Sequence, residues 1–234
     1  MRVMGSFSAR PACRAAYGHD VRQADVISLF DRGVAAFASQ TQSVSPDEWS
    51  RPACGSWSVE DVARHVLAVV TWYHLWLDRA EEGVYDRPFP ADELADRNEA
   101  ELTALGVLAG PVAVEQFVSE ADRYADRLSE NFDLTYGYPF GTVTAGLHAG
   151  IAAVEWNLHT WDVASALGLP YEPPEAGSLM RRAAACLGTA EGGVGGALVR
   201  IGAPAASLVR PWRQLLNRSG RDLHRSELGP SDSL

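Results

Sequence analysis

Four long stretches of this sequence repeat apolar residues at helical spacing, and each is bounded by loops rich in turn residues. That pattern leaves few folds open. In the first stretch, from about Arg22 to Ser39, Val26, Leu29, Phe30, Gly33, Val34 and Phe37 recur on one side. The second opens with a strong start signal: Ser58 as N-cap, Asp61 three residues on as in a capping box, and Trp57 placed to staple against Val62. It is expected to run from about Val59 to Glu82 and stop near Gly83. The third begins at Pro111, which suits a first helical turn, and Val114, Phe117, Ala121, Tyr124 and Leu128 trace its inner face. The fourth starts at Thr142 or Thr144 and reaches about Leu167, with Gly168 ending it and Pro170 beyond. Four such helices predict an all-α four-helix bundle, whose sites are built in the core from facing helices.

The connections SVSPDEWSRPACGSW, GVYDRPFP and FDLTYGYPFGT read as loops, and Ala91 to Leu105 as a short polar helix. Residues 1–20 read as a flexible tail, 21–170 as the bundle, and 171–234 as a short, partly irregular C-terminal extension. Within the extension, Ser178 to Leu187 and Leu208 to Leu216 are expected to be helical. The run GTAEGGVGGALVRIGAPA between them lacks both GxxxxGK[ST] and a GxGxxG placed after a strand, so it reads as loop and not as a phosphate cradle.

Charge and composition exclude several functions. A net charge of −10 argues against a general nucleic-acid binder, which needs a basic face to release counterions. All 20 positive side chains are arginine, so Schiff-base and Walker-type lysine chemistry are ruled out. Cys13, Cys54 and Cys186 form no CxxC, which indicates reduced thiols and neither a disulfide framework nor a cysteine zinc site. No apolar run approaches the roughly 20 residues that cross a bilayer, and the first twenty residues lack the apolar core of a secretory signal. The expectation is a cytoplasmic protein with no nucleic-acid or membrane partner.

The fourth helix holds the chemistry. Four residues advance about 400° on a helix, so Glu155 and His159 project within roughly 40° of each other. His148 and Asp162 fall on nearly the same stripe. Unsatisfied burial of that polarity would cost roughly 1–3 kcal/mol per group, so something must satisfy it. On the second helix His65 shares a face with Val69, Trp72 and Trp76, and Asp61 is placed either to accept its ring N–H or to serve the cap alone. If the two helices face, two imidazoles and one carboxylate suffice for a zinc-like ion with a coordination position left free. Each residue also has a plainer role. His65 can be a core histidine bonded to a carbonyl, Glu155 with His159 a helix-surface pair, and His148 either an acid/base group or a polar core residue. Trp72, Tyr73, Trp76 and Trp156 can line an apolar pocket or simply fill the core. The spacing is neither the HExxH of zincin proteases nor the Glu-x-x-His of di-iron bundles.

Two segments resemble a known family. The first carries Pro52, Cys54, Trp57, Ser58, Val59, Asp61 and His65, and the second Glu155, His159, Trp161 and Asp162. In this order they resemble the mycothiol-dependent maleylpyruvate isomerase family, which belongs to the DinB-like metal-binding four-helix bundles. The resemblance covers about residues 22–170, and the closing LLNRSGRD (Leu215 to Asp222) is similar to the ending of smaller members. Thr160 stands where the family usually has Gly. The resemblance implies a DinB-like fold, with His65, Glu155 and His159 as the ligands of a divalent metal, zinc before others. It also implies a low-molecular-weight thiol such as mycothiol as co-substrate, in transfer to or isomerisation of a small electrophile. Two other readings stay open: a non-catalytic bundle that binds a small molecule, and a specialised biosynthetic enzyme reusing the same pocket. Catalytic residues and oligomeric state are left unassigned.

Overall fold

The computed structural model describes residues 23–139, 141–179 and 211–221. Its elements run in the order α1 (Gln23–Thr41), β1 (Pro52–Cys54), β2 (Trp57–Ser58), α2 (Val59–Glu81), a 3-10 turn (Ala91–Glu93), α3 (Leu94–Leu105), α4 (Gly110–Asn131), β3 (Thr135–Tyr138), β4 (Gly141–Thr144), α5 (Ala145–Ala166) and α6 (Pro211–Arg218). The expected four-helix bundle is present in α1, α2, α4 and α5. Each pair of diagonal helices is separated by the other two: α1 and α2 both pack on α4 and on α5. This arrangement makes α2 and α5 neighbours, which a site shared between them requires.

The start signals act as their chemistry predicts. Ser58 accepts from the Asp61 backbone N–H, and the Asp61 carboxylate accepts from the Ser58 backbone N–H, completing the capping box of α2. Thr144, not Thr142, caps α5 through the Leu147 backbone N–H. Gly168, at φ +70°, ends the same helix in the left-handed region that residues with a Cβ avoid.

The core is aromatic. Trp156 on α5 is fully buried and meets Phe30 of α1 edge-on at 6.3 Å, Phe117 of α4 at 5.0 Å and Tyr73 of α2 at 5.9 Å. One side chain therefore touches all three other helices, near the favoured spacing of aromatic pairs. Tyr73 is buried beside it, Trp76 is buried against Tyr73, and Trp72 is half-buried against Phe89, so these residues fill the core and its edge.

Two expected loops carry short antiparallel hairpins: β1 pairs with β2, and β3 with β4. In the second, Thr135 faces Thr144 and Tyr136 faces Val143, so β-branched and aromatic residues of the segment pair across the strands as they prefer. The strands are too short, and too rich in glycine and proline, to show a period of two in the sequence. Ala91 to Leu105 is helical as expected, but its first turn is 3-10.

Nearly every face of α5 is buried. A helix apolar all round lies inside its protein, and here the outer cover is the C-terminal segment. Trp212, Leu215 and Leu216 of α6, with Ala176 and Leu179, form a second apolar cluster on Ala153, Val154, Leu158 and Trp161 of α5. The short helix expected over Leu208 to Leu216 is represented by α6, described over Pro211–Arg218; positions 208–210 lie outside the described residues. The tail over residues 1–20, the glycine-rich run and nearly all of the helix expected over Ser178 to Leu187 lie outside the described residues.

Candidate metal centre

α2 and α5 bring His65, Glu155 and His159 together. One ligand atom from each lies within 4.8 Å of the other two. The rings of His65 and His159 stand edge to face with centroids 4.9 Å apart. His65 Nε2 lies 3.5 Å from Glu155 Oε1. Two ligands about 2.1 Å from one tetrahedral ion are separated by roughly 3.4 Å, so that edge already has the length a bound zinc-class ion needs. The donor set, two nitrogens and one carboxylate oxygen, is that of an open catalytic site and not a closed structural one.

Protonation suits the same purpose. Burial holds His65 below its ordinary value, so its imidazole is neutral. Burial alone would raise the Glu155 carboxyl, but the hydrogen bond from His65, the electrostatic pull of His65 and His159, and the Tyr73 hydroxyl outweigh it and hold the group below the usual range. Neutral imidazoles and a carboxylate are the forms that bind a metal. His65 and His159 are buried, whereas the Glu155 side chain is 28% exposed, so the trio meets solvent on the carboxylate side.

Each candidate ligand has a support. The Tyr73 hydroxyl donates to Glu155 Oε2 at 2.9 Å and leaves Oε1 toward His65. His159 Nδ1 lies 3.0 Å from Asp162 Oδ2, the carboxylate–histidine arrangement that orients a ligating ring. Asp162 is 1% exposed, and Arg221 holds both its oxygens: Nε to Oδ1 at 2.8 Å and Nη2 to Oδ2 at 2.7 Å. Trp57 covers His65, with ring centroids 4.7 Å apart, and its indole N–H donates to Glu99.

A second group among the described residues, Cys54, His159 and Asp162, also has ligand atoms within 4.8 Å of one another. It is the poorer site. Both Asp162 oxygens are taken by Arg221, and burial and the Asp162 charge push the Cys54 thiol up to about 11, away from the thiolate a metal requires.

Asp61 serves the cap and pairs with Arg64, so the plainer of its two expected roles is the one it fills. His148 is a core residue. It is fully buried against Tyr73 at 4.0 Å, its Nδ1 meets the Tyr136 hydroxyl at 2.6 Å, and burial pushes it down to about 3. Thr160 is also buried, its hydroxyl bonded to the Trp156 carbonyl. Sequence reasoning missed the parts played by Tyr73 and Arg221. In the sequence Tyr73 belongs to a helical aromatic stripe, and Arg221 to the LLNRSGRD run, with nothing nearby to mark Asp162 as its partner.

A family model described as the mycothiol maleylpyruvate isomerase N-terminal domain matches residues 30–164 of this chain. Two solved structures share the fold. The crystal structure of a mycothiol-dependent maleylpyruvate isomerase aligns with a TM-score of 0.58 at 17% identity, covering 72% of this chain and 70% of that one. A histidine-to-alanine mutant of the mycothiol-dependent maleylpyruvate isomerase aligns with a TM-score of 0.53 at 18% identity over the same shares. No curated protein matches the sequence significantly.

Proposed function

We propose, on the premise that this chain belongs to the mycothiol maleylpyruvate isomerase N-terminal domain family, that it is a metal-dependent thiol isomerase or transferase. The observation that carries this reading is the convergence of His65, Glu155 and His159 at ligand spacing across α2 and α5. A divalent ion held there, zinc before others, would supply Lewis acidity and lower the pKa of a bound thiol such as mycothiol, so that the thiolate forms near neutral pH.

The chain's own residues make the remaining contributions. Burial favours the neutral form of His65, and an ion there would take the place of the proton that Nε2 shares with Glu155. Glu155 brings one negative charge, held in orientation by the Tyr73 hydroxyl. Asp162 accepts the Nδ1 proton of His159, which turns the Nε2 lone pair away from itself. Trp57 excludes water from one face of His65. The exposed edge of Glu155 is the side from which a thiol and a small electrophile approach. The sulfur adds to the electrophile; its departure after bond rotation completes an isomerisation, and its retention completes a transfer. Beyond the divalent ion, a thiol co-substrate and a small electrophile are the partners this reading requires.

Protein purified without a histidine tag tests it. Elemental analysis is expected to find about one zinc-class ion per chain, and added zinc to increase the affinity for a low-molecular-weight thiol. His159→Ala is expected to abolish both. Metal-free protein whose small-molecule affinity survives His159→Ala would instead be a non-catalytic binding bundle, and the enzyme reading would be lost.

A further inference from the structure

We infer that Arg221, delivered by the C-terminal helix, is a positioning residue for the metal centre: it fixes Asp162 and, through Asp162, the ring of His159. The inference rests on the metal reading above and assigns a role to a segment beyond residues 30–164, where the family model ends.

Three observations carry it. The first is the contact. Arg221 meets Asp162 in a two-bond fork, Nε to Oδ1 and Nη2 to Oδ2, and Asp162 Oδ2 also receives His159 Nδ1. A bidentate guanidinium sets the plane of a carboxylate as well as its charge. With that plane set, the remaining acceptor direction of Oδ2 determines how the His159 ring can turn.

The second is the anchor. α6 is fastened on α5 by Trp212, Leu215 and Leu216, which are at most 2% exposed, so the helix that carries the arginine is seated on the helix that carries the histidine.

The third is the aim. Gly220, at φ +80°, is the left-handed residue of a Schellman turn at the end of α6. The Arg221 N–H bonds the Leu216 carbonyl at 3.1 Å, and the Gly220 N–H bonds the Asn217 carbonyl at 3.3 Å. The turn reverses the chain directly after the helix and points Arg221 back toward Asp162. Without the arginine, Asp162 would be a buried carboxylate left with His159 and the Cys54 thiol, and with no cation to set its plane.

The experiment is zinc affinity of the full chain, measured by competition with a chromophoric chelator, with thermal melts recorded alongside. Arg221→Gln is expected to weaken zinc binding about 10- to 100-fold, the usual cost of losing an outer partner of a ligand. Arg221→Lys, which keeps charge but not the fork, is expected to fall between Gln and the parent. Gly220→Ala strains the turn without touching the site, since a Cβ there meets nothing within 4 Å; it is expected to shift affinity in the same direction. Because Arg221 acts through Asp162, the double variant Arg221→Gln/Asp162→Asn is expected to bind no more weakly than Asp162→Asn alone. Arg221→Gln and Arg221→Lys that both stay within twofold of the parent, while His65→Ala loses zinc, would overturn this inference and leave the metal reading standing. Losses that multiply in the double variant would also overturn it, by showing that Arg221 acts elsewhere. Parent protein that binds no zinc overturns the metal reading, and this inference with it.

Discussion

At the scale of single residues, hydrogen bonds that span the chain decide which side chains matter. Tyr73 reaches Glu155 across 82 positions, and Arg221 reaches Asp162 across 59. No periodicity can reveal such pairs, because each partner is ordinary in its own helix. Glu155 and His159 were legible for the opposite reason: four residues is one helical turn, and the spacing itself puts them side by side. Tyr73→Phe removes only the hydroxyl, and is expected to cost about 1 kcal/mol of stability and to weaken zinc binding; urea titration and chelator competition measure the two effects. His148 gives a pH prediction. Burial holds its folded value at about 3, below that of the unfolded chain, so the unfolded state binds a proton that the folded state refuses. Stability therefore falls as pH drops below the ordinary histidine range. Between pH 7 and pH 5 this group alone is expected to remove about 2 kcal/mol. Urea midpoints at the two values check the slope, and His148→Phe should flatten it. A slope unchanged by that substitution would contradict the account.

At the scale of elements, helices announced themselves and hairpins did not. α2 was marked in advance by Ser58 and Asp61, whose reciprocal bonds satisfy amide groups that the first turn leaves open. Ser58→Ala is expected to lower stability by about 1 kcal/mol without changing the bundle, as read by denaturant unfolding. β1–β2 and β3–β4 have strands of only two to four residues, and their pairing is set by where the flanking helices start. Close packing beneath the joints is equally invisible in a single sequence. A Cβ on Gly110 would lie 2.2 Å from Trp49, whose ring sits under the start of α4. Gly110→Ala is therefore expected to destabilise the protein by about 1–3 kcal/mol through overpacking, and the melting temperature should drop accordingly.

At the scale of the whole molecule, the bundle and its C-terminal cover act on one helix from two sides. The bundle was readable because its four apolar stripes are long. The cover was not, because the α6 cluster pairs with positions of α5 that a purely amphipathic helix would leave to solvent. Trp212→Ala should cost about 3–5 kcal/mol, the range for removing a buried aromatic, and on the metal reading it should also loosen the zinc site. Metal and fold are linked in the other direction as well. Zinc at 100 times its dissociation constant is expected to add about 2.7 kcal/mol to stability, so a chelator should lower the melting temperature of the parent and leave that of His65→Ala unmoved.

The enclosure of α5 has a consequence for how such a protein can diversify. Neighbours press on it from the bundle side and the outer side alike, so a bulkier residue on most of its turns has nowhere to expand. Mutational drift that keeps the scaffold intact is pushed to the periphery: the two ribbons of paired strands, the wet flank of Glu155 and the polar surface of α3. Novel substrate preferences would then be acquired around an unaltered centre, much as a lathe changes its work by swapping jaws and keeping its spindle.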